Sequence, residues 1–406
     1  MSFVPRVHFM AGLIMIVWNL CAAGVPVVSA QSAADLFDAH TLQEVRLFIN
    51  ERDLTELRQR YRENVYFPAD VEWRGLRVQN VGIRSRGLAS RSATKPGLRI
   101  DFNRYTSGQR FLGLSSLLLD NLATDPSMVR ERVAMAFFER LGQPASRESF
   151  ARVYINNVFQ GLYAVVEAVD ADFLARTLGE RTGYLFERHF LGEYRGEDLG
   201  DDPAAYRSVF QPVNHELESD AVLYTPIRDL FHEVNQPVDA VWRERVEQHI
   251  DLAQLVTHVA IETFLSEADG VLGGSGMTNF YLYRRLDADR HRIIVWDKDH
   301  AFATIDSPIL QRAAENILFS RALAFPDLRS LYLDTLDRAA RLAMADSWLE
   351  REISRATSLI DASAHDDPVK PYANDVFEAA GEFLMQFARR RPAFVIEAVE
   401  RERRTR

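Results

Sequence analysis

The chain has 406 residues, 47% hydrophobic and 26% charged, a balance that excludes a disordered chain and allows one large core or two lobes. Its net charge of -10, with no stripe of Arg and Lys interleaved with aromatics, argues against nucleic-acid binding. Of its 48 Lys and Arg residues only three are lysines, Lys95, Lys298 and Lys370, so each invites a reason that arginine does not meet.

Residues 1–30 read as a secretory signal peptide. Arg6 precedes an apolar run from Phe9 to Val28, and Val28-Ser29-Ala30 is an A-x-A-like cleavage site. This predicts a secreted or periplasmic protein. The alternative is an uncleaved anchor, because the run is almost long enough to span a bilayer, although Asn19 and Pro26 interrupt it. No second hydrophobic span follows. The only cysteine, Cys21, lies in this segment, so the rest of the chain has no thiol or disulfide chemistry. Residues 31–43 read as a short polar leader, and 44–406 as the functional domain.

From Val45 the pattern is β-rich. "VRLFIN" is a strand and "RDLTELRQRY" a short helix; "VYFPADVEW" and "LRVQNVGIRSRG" bracket Arg74-Gly75 as a hairpin. "LRIDFNRY" and "SLLLDNL" are further strands. The spacing predicts a helix over 125–142, capped by Asp125 and stopped by Gly142. "ARVYINNVFQGLYAVVEAVD" is a hairpin turning at Asn156-Asn157, with a break at Gly161. A helix over Asp172–Leu178 and the strand "YLFER" come next. Residues 190–220 are polar and read as a surface insertion. The chain then turns helical, with a long buried helix in "LAQLVTHVAIETFLSEA", the Gly-rich loop "DGVLGGSGMT", and a hairpin from "NFYLYRR" to "HRIIVWDKDHAF". From Pro308 onward it is helical, broken near Pro326 and across "SAHDDPVKPY". The expected class is α+β and two-lobed: a β-rich N-lobe over about 44–170 and a mostly helical C-lobe over 171–406.

Three patches carry unusual residues. In "RSRGLASRSATKPGLRIDF", Arg84, Arg86, Gly87 and Lys95 lie between two strands, a pattern that suits a phosphate cover or a solvated basic loop. In "LYAVVEAVDADFL", a strand leaves its sheet at Glu167, Ala168 and Val169 and exposes backbone that can pair with a planar heterocycle, or simply connects to a helix. The third is the hairpin from Asp269 to Asp299. Alternation there puts Ile293, Val295, Asp297 and Asp299 on one face, driving carboxylates into an apolar side. An unpaired buried charge costs several kcal/mol or more, so Asp297 needs a partner. With Asn279 opposite and Asp269 at the mouth, Mg²⁺ or Mn²⁺ qualifies; so does an ion pair with Arg284 or Arg292.

Together these patches resemble the CotH kinase family, atypical protein kinases of the secretory pathway and spore coat. The resemblance runs through "GIRSRG", "KPGLRIDFNRY", "GQRFLGLSSLLLDNLATDPSMVRERVA", "LGQPASRESFARVYINNVFQGLYAVVEAVD", "NFYLYRR" and "IIVWDKDHAF". It implies a kinase-like fold that binds ATP and a divalent metal between lobes. By the same resemblance Lys95 meets the ATP phosphates with Glu131 as its partner, and Glu167, Ala168 and Val169 form the adenine hinge. Asp269 is the catalytic base, and Asn279 and Asp297 hold the metal. The chain departs from the family in a longer loop between Asp269 and Asn279, which must bulge if both are to reach one metal, and in Ala303 in place of a frequent Gly.

The expected function is a secreted kinase that transfers phosphate from ATP to Ser/Thr of a protein substrate, with no nucleic-acid partner and no membrane span after the leader. A pseudokinase acting as an assembly scaffold is the alternative. A hydrolase using Asp269 and Asp297, with carboxylates about 5–9 Å apart, is a third reading that leaves Lys95 without a task.

Overall fold

Two tight turns in the first half, at Arg74-Gly75 and Asn156-Asn157, each join a pair of antiparallel strands. The computed structural model describes residues 1–3, 31–188 and 192–405; residues 4–30, where most of the expected signal peptide falls, lie outside them. Ser32–Arg406 make one compact unit and Met1–Gln31 another. The chain enters the larger unit through α1 (Ala33–Leu36), β1 (Leu42–Ile49) and α2 (Glu51–Gln59). The expected leader is thus partly built in: Leu36 and Phe37 are buried, and the Ser149 hydroxyl donates to the Leu36 carbonyl at 2.6 Å.

β2 (Phe67–Trp73) and β3 (Leu76–Arg86) follow, joined by Arg74 and Gly75 with φ of 48° and 78°, the backbone a tight hairpin requires. β4 (Gly97–Asp101), β5 (Ser116–Asp120), β6 (Glu148–Ile155) and β7 (Val158–Val166) complete a closed barrel in the order β1-β2-β3-β4-β5-β7-β6. Parallel pairing of β1 with β6, Val45 opposite Val153, closes it and removes the free edges. Leu47, Trp73, Ile83, Ile100, Val153 and Tyr163 belong to its core. The expected turn at Asn156-Asn157 is present, with φ of 50° and 67°.

The helix after β5, α3 (Arg130–Arg140), starts four residues later than the spacing predicts for a helix capped by Asp125. Met128, at φ 59°, breaks the helical path. Asp125 still caps from a distance: its carboxylate accepts from the N–H groups of Ser127 and Arg130, each at 2.8 Å.

The second half is helical, as expected, but carries a four-stranded sheet in place of a lone hairpin. β8 (Tyr184–Arg188) and β9 (Phe210–Pro212) join β10 (Phe280–Arg285) and β11 (Ala288–Val295) in the order β11-β10-β8-β9. The stretch expected as a surface insertion supplies β9 and puts Tyr194, Tyr206 and Phe210 against Phe231, so its polar residues cover an aromatic cluster. The helices are α4 (Ala171–Leu178), α5 (Asp220–Asn235), α6 (Trp242–Glu247), α7 (Leu252–Phe264), α8 (Ile317–Ala322), α9 (Pro326–Met344), α10 (Trp348–His365) and α11 (Asn374–Arg404). α7 is buried on most sides and runs toward the loop that carries Asp269. Its end is fixed by Arg391 of α11, whose buried guanidinium donates to the carbonyls of Phe264 (3.0 Å), Thr263 (2.6 Å), Ile305 (3.0 Å) and Ser307 (2.6 Å). No helix among the described residues is long and apolar enough to cross a membrane.

Candidate active site

Strand alternation stops at Asp297. β11 ends at Val295, and Asp297 takes φ 51°, so the next three side chains part company. Asp297 lines an arginine-rich cavity, Lys298 is fully buried toward α7, and Asp299 accepts a hydrogen bond from the Thr124 hydroxyl. The expectation that Asp297 and Asp299 share the face of Ile293 and Val295 therefore fails at a left-handed residue. Asn279 sits in the same backbone region at φ 56°. Such conformations cost of order 1–3 kcal/mol each for non-glycine residues and gather at functional sites.

The long loop from Asp269 to Asn279 folds back on itself. Gly273 N–H donates to the Gly270 carbonyl at 2.9 Å, and Thr278 N–H donates to the same carbonyl at 3.3 Å. The Asn279 amide then donates to the Asp269 carbonyl (2.8 Å) and to its carboxylate (3.1 Å). Those bonds commit the Asn279 nitrogen and leave its side-chain oxygen with one hydrogen-bond contact among the described residues, the Thr278 hydroxyl at 3.5 Å.

The cavity measures about 480 Å³. Arg62, Arg84, Arg86, Arg91, Arg99 and Arg188 line it with Asn279, Tyr281, Trp296 and Asp297. Arg84 and Arg91 are tied to Asn64, and Arg188 to the Met277 carbonyl. Among the described residues the one hydrogen bond from the Arg99 guanidinium goes to the Ser116 hydroxyl at 3.3 Å, and Arg86 pairs with Asp120 at 2.6 Å. Among the described residues the Asp297 carboxylate takes no hydrogen bond and no ion pair. Burial pushes its carboxyl up; Arg86 pulls it back, and Asp120 pushes it up again. The cations it feels are thus Arg86, far away in sequence, and more weakly the adjacent Lys298, while Arg284 pairs with Asp289 at 2.9 Å.

Behind Asp297 lies a carboxylate cluster. Asp120, Glu131, Glu148 and Asp299 line a pocket of about 10 Å³, and both Glu148 oxygens are buried without a hydrogen-bond partner among the described residues. Burial raises Glu148 to about 8, against the pull of Arg132, and raises Asp299 to about 8 with help from the Asp297 charge.

The expected site residues divide into two groups. Asp269, Asn279 and Asp297 come together, the first two by direct hydrogen bonds and the last two on one cavity wall. Lys95 does not line the cavity. Its ammonium is buried against Asp367 at 2.6 Å, where it also lies 5.2 Å from the Tyr163 ring centroid. Gly161 permits this, since a Cβ there would lie 2.4 Å from the Asp367 carboxylate. Glu131 therefore does not meet Lys95 as expected; it sits among carboxylates, where burial and the Glu148 charge push it well up. Glu167 is engaged by Arg147 (2.7 Å) and Arg176 (2.5 Å), and its N–H donates to the Arg147 carbonyl (3.0 Å). It is buried with Ala168 and Val169, and none of the three lines the cavity.

Sequence reasoning flagged Arg86 only within a patch and missed Arg99, Asp120, Glu148, Glu262 and the role of Lys298. A usable signal was there for Glu262: it stands one turn after His258 in a largely apolar helix and is its only acid.

Comparison with known proteins agrees with the resemblance. The inner spore coat protein H of Bacillus subtilis (strain 168) is 23% identical over 362 residues, covering 86% of this chain and 95% of that protein. The crystal structure of the Helicobacter pylori proinflammatory kinase CtkA aligns at 12% identity and a TM-score of 0.30, over 75% of this chain and 93% of that one. Residues 83–395 match the family described as CotH kinase protein, and with the match running from β3 into α11, the chain belongs to that family.

Proposed function

We propose that the chain is a secreted protein kinase that moves the γ-phosphoryl group of ATP to a Ser or Thr hydroxyl of an extracytoplasmic or coat protein. One observation carries the reading: Asp269 and Asn279 are hydrogen-bonded across the Gly-rich loop, while Asp297, a carboxylate with no hydrogen-bond or ion-pair partner among the described residues, faces a cavity walled by arginines. The arginines suit a polyphosphate, and the hard oxygens of Asn279 and Asp297 suit Mg²⁺ or Mn²⁺. Among the described residues no three His, Cys, Asp or Glu side chains form a metal cage, so a cation here would share its shell with nucleotide phosphates, the usual habit of Mg²⁺. Bound there, it would neutralise charge on those phosphates.

Arg86 and Arg99 take the phosphate role that the family resemblance gave to Lys95. Asp269 accepts the proton of the attacking hydroxyl; that oxygen bonds to the γ-phosphorus, the bond to the bridging oxygen breaks, and ADP leaves. Burial of Lys95 against Asp367 favours a second reading, a scaffold that binds nucleotide without transferring phosphate. The test is incubation of the purified chain with labelled ATP and Mn²⁺. Asp269→Asn should bind ATP as the wild type does and lose transfer by about 10²–10⁴-fold. ATP binding without transfer in the wild type supports the scaffold, and absence of ATP binding removes both readings.

A further inference from the structure

The lysine between the two aspartates serves the loop behind the cavity. The Lys298 ammonium, fully buried, donates to Glu262 Oε1 (2.8 Å) and to the backbone carbonyl of Asn279 (2.9 Å). Glu262 belongs to α7, and His258 one turn earlier lies 3.1 Å from the same oxygen. Glu262 Oε2 accepts from the Val271 N–H at 2.8 Å. The loop passes so close that a Cβ on Gly270 would lie 2.6 Å from that oxygen. Burial alone would raise the Glu262 carboxyl, but Lys298 and His258 outweigh it and hold it down at about 2, so the carboxylate is ionised. One ion pair thus grips the chain just after Asp269 and again at Asn279, and the Asn279 amide closes the circuit onto Asp269.

We propose that Lys298 and Glu262 are positioning residues that fix Asn279 and Asp269 relative to each other and aim the Asn279 oxygen at the point that Asp297 faces. This rests on the reading of Asn279 as a metal ligand. A buried pair that serves stability alone can be exchanged for neutral side chains with little loss of function. A positioning pair cannot, because no apolar side chain donates to the Asn279 carbonyl.

The experiment titrates Mn²⁺ into the full chain with a non-hydrolysable ATP analogue, followed by electron paramagnetic resonance, and records the melting temperature. K298M should lower both Mn²⁺ affinity and melting temperature. The double variant K298M/E262Q removes the uncompensated charge and should recover most of the melting temperature while Mn²⁺ affinity stays at least tenfold weaker than wild type. Wild-type Mn²⁺ affinity in the double variant overturns the proposal. If the double variant does not fold, E262Q alone carries the test, since glutamine keeps the volume and an acceptor for Val271; several-fold weaker Mn²⁺ binding supports the proposal and wild-type binding overturns it. N279A separates the two layers: wild-type Mn²⁺ affinity there removes the metal reading, and with it the role assigned to the pair.

Discussion

Two cations flank the loop between β3 and β4, and they have opposite fates. Lys95 and Arg86 each pair with an aspartate at 2.6 Å. The Lys95 pair is sealed, with side chains 2% and 0% exposed, whereas the Arg86 pair is 16% and 19% exposed and borders the cavity. The sealed ammonium is bound to Asp367 at the α10–α11 connection and ties the barrel to the helical half. The other cation is open to a ligand and close enough to Asp297 to offset its charge. Being rare in the sequence marked Lys95 as unusual; it did not say whether the reason was chemistry or packing.

The largest expected effect lies at the sealed pair. Lys95→Met strands the Asp367 carboxylate in the interior, at a cost of about 3–5 kcal/mol, because removing one partner leaves an uncompensated buried charge. The unfolding midpoint should drop sharply, while the surviving folded protein binds ATP as the wild type does. Adding Asp367→Asn should recover much of the loss. Weak ATP binding in that folded double variant would return Lys95 to the nucleotide site and erase the contrast.

Arg86→Met should show the reverse pattern. Its Asp120 partner keeps some contact with solvent, so the stability loss is smaller, but charge-assisted contacts to phosphate worth roughly 1.5–3 kcal/mol disappear. ATP affinity should fall about 10–100-fold by isothermal titration. Arg86→Lys should fall between, since an ammonium keeps the charge and loses the planar fork. Unchanged affinity in Arg86→Met would place the phosphates elsewhere on the arginine wall.

The contrast also explains what the sequence could and could not disclose. Hairpins were legible because the Arg74-Gly75 and Asn156-Asn157 turns encode their own backbone. The closeness of Asp269 and Asn279 was foreseen as a bulging loop because glycines permit one. The barrel closure was not legible, since it depends on parallel pairing of β1 with β6 across a long separation. The partner of Lys95 was hidden for the same reason, as Asp367 arrives from the far end of the chain. The aromatic cluster under residues 190–220 was masked by polar composition, although Tyr194, Tyr206 and Phe210 were in plain view.

The smallest expected effect concerns pH and draws the two regions apart once more. At Lys95 each charge has an opposite partner. In the cluster behind Asp297, burial and neighbouring carboxylates hold Glu148 at about 8, with Arg132 pulling it down and Asp120 and Asp297 pushing it up. An unfolded glutamate releases its proton at pH ~4.3. Between that pH and about 8 the folded chain therefore keeps a proton that the unfolded chain has released. Stability then falls as pH rises through this window, the sign linkage requires when the native state binds more protons. Without metal or nucleotide, the melting temperature should decline from pH 5 to pH 8. Glu148→Gln should flatten the decline, because glutamine carries no proton to lose, while Lys95→Met with Asp367→Asn should leave its slope as in the wild type. A wild-type profile that is flat or rising would mean that the cluster is ionised in the fold and balanced by Arg86 and Arg132, as Asp367 is balanced by Lys95; a Glu148→Gln profile as steep as wild type would place the retained proton on Asp299 or Glu131 instead.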